Sequence, residues 1–363
     1  MTKFLYLFFF AVFSVLGVSC GGTALEKQPV YHTFVTSPES LVQVAAFHDA
    51  VRNGDTERVI SFLKEGGDVD AAGRGGKTAL LIAAATGSLD MMALLLKKDA
   101  LVDARQDDGA TPLMIAAGLG DVEMVDFLLA AGADVQLVTV LGAGALMFAA
   151  MDGNTDVISR LLDAKAPVDA VDTHGETAVL IAAAEGREEA LLLLLDRGAS
   201  SNEKRLDGKN ALMATAFRGS VTCADILIAH GADIQMPDSN GETVLMIAAR
   251  RGHEKYVRWA LEKGAFIDAA NAAGWTALMI ASGEGKTNVV GILLEFNASL
   301  DAITPVGWTA LMLSAGKGFE EIAKMLITKG ADQSVRDGMG QDAFDLATSN
   351  GHTAIAVLLK GSK

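Results

Sequence analysis

The chain has 363 residues, half of them hydrophobic, and its 30 basic against 45 acidic side chains leave a formal charge of −15 at pH 7. So acidic a balance excludes non-specific nucleic-acid binding, which needs a basic footprint, and it repels anionic lipid headgroups. With Cys20 and Cys223 the only cysteines, the fold has to hold together without a disulfide framework.

Residues 1–20 differ from everything after them. Lys3 is the only charge, and Phe4–Val18 is an apolar run. That length falls short of the roughly 20 residues needed to cross a bilayer; it fits the apolar region of a secretory signal. The run ends Leu16-Gly17-Val18-Ser19-Cys20-Gly21. This resembles a bacterial lipoprotein signal, in which the cysteine becomes the lipidated first residue. Leu16 stands four residues before Cys20, where the usual pattern has three. The resemblance implies export to the periplasm or outer membrane, with membrane attachment only through lipid on Cys20. Ordinary cleavage with secretion, and an uncleaved N-terminal anchor, stay open. Residues 21–40 carry Gly, Thr, Pro and Ser with little periodicity and read as a flexible tether, spanning about 25 Å on average.

From residue 41 onward one register governs the chain. Gly109 has counterparts at Gly76, Gly142, Gly175, Gly208, Gly241, Gly274, Gly307 and Gly340, every step being 33 residues. Gly120 recurs in the same way from Gly54 to Gly351. A fixed period in the range of 20–50 residues means one supersecondary unit stacked along an axis. In such an array each unit touches only its neighbours, so length does not translate into a domain count.

The unit reads as turn, helix, turn, helix, extended arm. Two residues after the first Gly come Thr78, Thr111, Gly144, Thr177, Asn210, Thr243, Thr276, Thr309 and Asp342, all acceptable helix N-caps. Pro112 follows one of them at the first helical position, where a missing N–H costs nothing. Apolar residues with a small pair follow, as in Leu113-Met114-Ile115-Ala116-Ala117. Gly120 suits a left-handed residue closing that helix. The second helix, Val122–Ala131, carries Val125, Leu128 and Leu129 at helical spacing and stops at Gly132-Ala133-Asp134. Residues 134–143 are too few for another helix.

These residues resemble the ankyrin repeat family, whose pattern is G-x-T-P-L-H-x-A-A-x-x-G, a leucine-rich helix, then G-A-D. The resemblance covers roughly residues 41–360 and implies an all-α solenoid of about ten helix-turn-helix repeats with short hairpin arms. Residues 41–73 form the N-terminal cap, in which Leu41–Arg52 and Thr56–Glu65 are helices and His48, Asp49 and Arg52 give polar cover. The internal units run near 74–339. Residues 340–363 form the C-terminal cap, marked by Asp345, His352, Thr353 and Lys360. One departure is systematic. The family histidine after T-P-L is replaced by Leu81, Met114, Met147, Leu180, Met213, Met246, Met279 and Met312. The hydrogen bond that this histidine makes between neighbouring loops is lost, which predicts looser arms.

The polar residues that invite a chemical reading have plainer ones. Asp70, Asp103, Asp169, Asp268 and Asp301 share one repeat position, but repeats stack about 8–10 Å apart and calcium needs oxygens at about 2.3–2.6 Å. Local turn hydrogen bonds are expected of them instead. No histidine is paired with a cysteine or a second histidine at metal-ligand spacing, and no nucleophile elbow or phosphate loop occurs. A strict period leaves no insertion to carry catalysis. The reading is a non-enzyme without metal or cofactor. Cys223 falls at an apolar second-helix position and reads as a buried thiol, and Trp259 reads as packing on the outer helices.

What remains is variation on the face lined by first helices and arms, which in the ankyrin family is concave. Val138, Val140 and Leu141 make an apolar arm tip where other units have Asp107-Asp108 or Thr173-His174. Phe217-Arg218 and Arg250-Arg251 end two successive first helices where other units carry Asp152, Glu185 and Glu284. Trp275 and Trp308 each precede a cap Thr; each either staples onto the residue five later, Ile280 or Leu313, or anchors a partner. The expected role is a monomeric interaction module that holds a protein partner, acidic where it meets the arginines, on one strip formed by Phe217, Arg218, Arg250, Arg251, Trp275 and Trp308. The alternative is an envelope spacer or self-associating scaffold.

Overall fold

The computed structural model describes residues 38–361. The signal-like segment, Cys20 and the tether up to residue 37 lie outside the described residues. The described chain is ten helix pairs, with no strand in it. In order they are α1 (Pro38–Arg52) and α2 (Thr56–Lys64), α3 (Ala79–Thr86) and α4 (Leu89–Leu96), α5 (Pro112–Leu119) and α6 (Val122–Ala130), α7 (Ala145–Asp152) and α8 (Thr155–Asp163), and α9 (Ala178–Glu185) and α10 (Glu188–Asp196). Then follow α11 (Ala211–Arg218) and α12 (Val221–Ala229), α13 (Val244–Arg251) and α14 (Glu254–Glu262), α15 (Ala277–Gly283) and α16 (Thr287–Glu295), α17 (Ala310–Lys317) and α18 (Glu320–Thr328), and α19 (Ala343–Ser349) and α20 (Thr353–Gly361).

Each first helix packs on the first helices of adjacent repeats, and from the third repeat onward each second helix packs on its counterparts. Their apolar stripes merge into one core that runs from Phe47 to Leu359. The methionines and leucines that stand in the histidine position are all buried in it. Of the nine first-helix caps expected from sequence, Thr111, Thr177, Asn210, Thr243, Thr276, Thr309 and Asp342 accept a hydrogen bond from the amide three residues on. Thr78 and Gly144 make no such bond.

The arms are tied to each other by the main chain, so the absent histidine is not what joins them. Val140 N–H donates to Asp108 C=O at 2.8 Å, Thr173 to Leu141 at 2.8 Å, Leu206 to His174 at 3.1 Å, Ser239 to Asp207 at 3.2 Å and Ala272 to Asn240 at 2.9 Å. One rung is missing, because Pro305 occupies the next donor position and has no N–H. The rungs resume with Gly338 N–H to Val306 C=O.

The aspartate column does a second version of the same job. Local turn bonds were expected of it. Instead each carboxylate reaches the next repeat, accepting the amide 31 residues on: Asp70 from Leu101, Asp103 from Asp134, Asp169 from Ser200, Asp268 from Ser299 and Asp301 from Asp332, at 2.8–3.0 Å. Asn202 and Gln235 make the same bond and also donate to a carbonyl. At Gln136 the facing residue is Pro167, and the side chain donates to the Lys165 carbonyl instead.

Two glycine columns differ in what they require. The arm glycines have positive φ and, from Gly76 to Gly307, also lie against the next arm; a Cβ on Gly208 would overlap the Ser239 backbone nitrogen. The glycines that follow the second helix have positive φ but open space around them, and three repeats place Asp99, Lys165 and Asn297 there. Gly198→Ala should therefore cost about 1 kcal/mol, from left-handed backbone alone. Gly208→Ala should cost about 3 kcal/mol or more, because the strain is compounded by overlap with the next repeat. Urea midpoints of the two variants give the comparison, and equal losses would contradict it.

The N-terminal cap departs from its expected character at His48. The side chain is 6% exposed and not surface cover; its Nε2 lies 3.1 Å from the Ala71 carbonyl. Asp49 and Arg52 form an exposed pair instead. Burial pushes the His48 pKa below its usual 6.5, the Ala71 bond and Asp49 opposing and Arg52 assisting. A depressed histidine pKa means that the unfolded state takes up the proton more readily. The contribution of His48 is therefore complete above about pH 6.5 and is lost as pH falls below it. Amide protection factors in α1 and α2, which correct for the intrinsic slowing of exchange at lower pH, should fall as pH drops from 7 to 5, and His48→Leu should remove that pH dependence.

Candidate functional site

A groove of about 820 Å³ crosses the first helices of repeats five to seven. Its floor is apolar: Leu180 and Ala184 from α9, Met213 and Ala214 from α11, and Ile247 from α13. Its walls are charged. Arg205, Lys209, Arg218, Arg250 and Arg251 face Glu176, Glu242 and Glu284, a net of +2 on a chain of −15.

Each charge has a distinct state. Glu242 sits just before the α13 cap and Arg250 at the helix end, so the residues face each other along the length of one helix. Arg250 binds the carboxylate through both nitrogens, Nη1 to Oε2 at 2.7 Å and Nη2 to Oε1. That hydrogen bonding holds Glu242 below the usual carboxylate range and raises Arg250. The Arg205–Glu176 pair is weaker, with one contact at 2.7 Å. There burial dominates and pushes the Glu176 carboxyl up, against the pull of the arginine. Lys209 pairs with Asp207 at 3.0 Å.

Arg218 and Arg251 have no carboxylate partner among the described residues. Both lean over the preceding repeat. Arg218 donates through Nη1 to the Ala184 carbonyl at 2.7 Å. Arg251 lies over the Phe217 ring, its guanidinium carbon 3.5 Å from the centroid. Phe217 is 54% exposed even so. Stacking of this kind favours a desolvated, fixed guanidinium.

Of the eight side chains singled out from sequence, the structure brings four into the groove: Phe217, Arg218, Arg250 and Arg251. Arg250 enters it already neutralised. Trp275 and Trp308 lie in the arms of the next two repeats and do not line the groove. Both are half-buried and pack on the core. The Trp275 ring lies along its own helix, its Cζ3 3.8 Å from where a Cβ of Gly283 would stand. Sister helices carry Ala184, Phe217 and Arg250 at that site; a Cβ at Gly283 would touch the ring at ordinary contact distance, whereas a larger side chain would compete with it for the same space. Val140 and Leu141 are exposed on an arm tip away from the groove. Trp259 is 7% exposed on the second helices, donating to Asp225 at 2.9 Å, and Cys223 is fully buried.

Sequence reading missed Glu176, Arg205, Lys209 and Glu242, and used Glu284 only as a contrast to the arginines. The signal was present in the column before the caps, which reads Glu176, Lys209, Glu242, Trp275, Trp308. The helix-end column reads Ala184, Phe217, Arg250, Gly283, Gly316, and the two columns meet where Glu242 pairs with Arg250 and where the Trp275 ring lies beside Gly283.

Among family profiles, the one described as ankyrin repeats (3 copies) matches residues 47–139, 135–205, 193–271, 212–304, 265–337 and 299–363. The chain belongs to the ankyrin repeat family. Ankyrin repeats are generally protein–protein interaction modules, typically scaffolds without catalysis. No curated protein matches this ankyrin chain.

The pairing pattern separates structural from free arginines. Glu242→Ala and Arg250→Ala should each destabilise the array by about 1–3 kcal/mol, and the double variant by less than the sum. Arg218→Ala and Arg251→Ala should each cost less, about 1 kcal/mol or below, for one carbonyl hydrogen bond and one ring stack. Thermal melts of the four single variants and the double decide it; a loss at Arg251 as large as at Arg250 would refute the division.

Proposed function

We propose that this ankyrin array is an envelope-anchored interaction module that holds a protein partner in the groove of repeats five to seven. One observation carries the reading: two uncommitted guanidiniums flank an exposed phenylalanine on a body that is otherwise strongly acidic. Arginine and aromatic side chains dominate binding hot spots, and a local positive patch steers a negative partner and fixes its register. Trp275 and Trp308 extend the same face as an apolar margin. The N-terminal segment supplies the location in this proposal, through export and lipid on Cys20.

A photo-cross-linking amino acid at position 217 tests the groove. It should trap a discrete protein partner in the native membrane fraction, and the trap should fail when Arg218→Glu and Arg251→Glu are added. The same probe at Phe266, 67% exposed and outside the groove, should trap nothing comparable. Equal traps from the two positions would remove the groove from the proposal. For the anchor, the protein should enter the detergent phase on phase partition and Cys20→Ala should leave it, since several acyl chains are needed for firm attachment. Unchanged partition would assign the anchoring to the apolar run itself.

A further inference from the structure

The uncommitted arginines sit at one position of adjacent repeats. Arg218 ends α11 and Arg251 ends α13, 33 residues apart, so their heads are separated by about one stacking step, 8–10 Å. Each is oriented from within the chain, Arg218 by the Ala184 carbonyl and Arg251 by the Phe217 ring. Ordering them costs a ligand little. What fits must present two anions at that spacing.

Three peptide geometries can be compared. A strand added to the arms is excluded, because arm N–H groups such as those of Leu206 and Ser239 are spent on the neighbouring arm. Within a strand, residues on one face recur at about 6.6 Å and 13 Å, neither of which matches. In a helix, residues three or four apart stand only about 4.5–6 Å apart along the axis and residues seven apart about 10.5 Å, so neither pair falls within about 8–10 Å. A polyproline II thread has three residues per turn at about 3.1 Å each, so residues i and i+3 share a face at about 9.3 Å. It makes no internal hydrogen bonds and needs no strand edge, only side-chain donors and an aromatic platform.

Resting on the reading of the groove as a protein-binding site, we propose that its occupant is a polyproline II segment with carboxylates three residues apart, one taken by Arg218 and one by Arg251. The two intervening residues lie on Phe217. Glu284, which also lines the groove, stands one step beyond Arg251 in the same column and repels a third carboxylate at that end. The acidic contact is therefore two residues long and ends at repeat seven.

The probe is a fluorescein-labelled (Pro-Pro-Glu)4 peptide, titrated into the purified full chain and read by fluorescence anisotropy. One control holds the same eight prolines and four glutamates as Pro-Pro-Glu-Glu-Pro-Pro-Pro-Pro-Glu-Glu-Pro-Pro, which has the same charge but no pair at i, i+3. A second is an alanine-based helix with glutamates at i and i+7. The regular peptide should bind about tenfold tighter than either control, and Arg218→Ala or Arg251→Ala should each weaken it about tenfold. Arg160→Ala, on a second helix outside the groove, should change nothing, and the melts of all variants serve as folding controls. Equal binding of the permuted peptide would show charge attraction without register, and tighter binding of the helical peptide would show a helical occupant; either overturns the proposal. So does binding that survives loss of both arginines. If the peptides fail while position 217 still traps a protein, this inference is wrong and the groove remains a binding site. If both fail, the functional reading falls with it.

Discussion

The bond on which this array depends is the one from an arm amide to the carbonyl of the arm before it. Helix pairs alone bury one apolar stripe against the next and leave the sliding of one repeat over another loosely specified. The arm bond, doubled by an aspartate or amide side chain that accepts an amide 31 residues on, fixes both distance and register between units. Buried or half-buried backbone groups find partners across the seam that they lack within the repeat. The invariant 33-residue step follows, because one inserted residue would break two bonds at every seam it displaced.

The groove is a product of that regularity. Once successive first helices are held parallel and in register, any position becomes a column, and adjacent columns face each other. Glu242 with Arg250, and Trp275 with Gly283, are two solutions to the same neighbourhood: in one, opposite charges close on each other, and in the other, a ring lies where no side chain stands. Arg218 and Arg251 belong to the next column, where the facing positions offer a carbonyl and a ring but no carboxylate. Their freedom is a consequence of what Ala184 and Phe217 are.

The repeats, the caps and the burial of Cys223 were legible because glycine, cap and apolar residues answer to local rules that recur in phase. The charge state of the groove was not. Glu242 and Arg250 stand eight residues apart, a spacing that means nothing until an arm folds back along its helix. His48 looked like polar cover because histidine on a capping helix usually faces water; its burial is set by the chain at Ala71, more than twenty residues away. The aspartate column was recognised as structural, but its reach to the following repeat needed the seam geometry. Gln136 shows the logic from the other side, since its different bond is explained by Pro167 opposite.

Pro305 gives the array an uneven mechanical profile. Elsewhere a seam resists shear through a main-chain bond and a side-chain clip acting side by side, whereas at Pro305 the arms keep only the Asp268 to Ser299 clip. When the array is pulled along its stacking axis, load passes through the seams in series, so the compliance of the whole is dominated by its softest joint. That joint lies between the arms that carry Trp275 and Trp308, one repeat beyond the groove. Extension therefore concentrates past the binding site, and the spacing of Arg218 and Arg251 changes less than that of the softer joint.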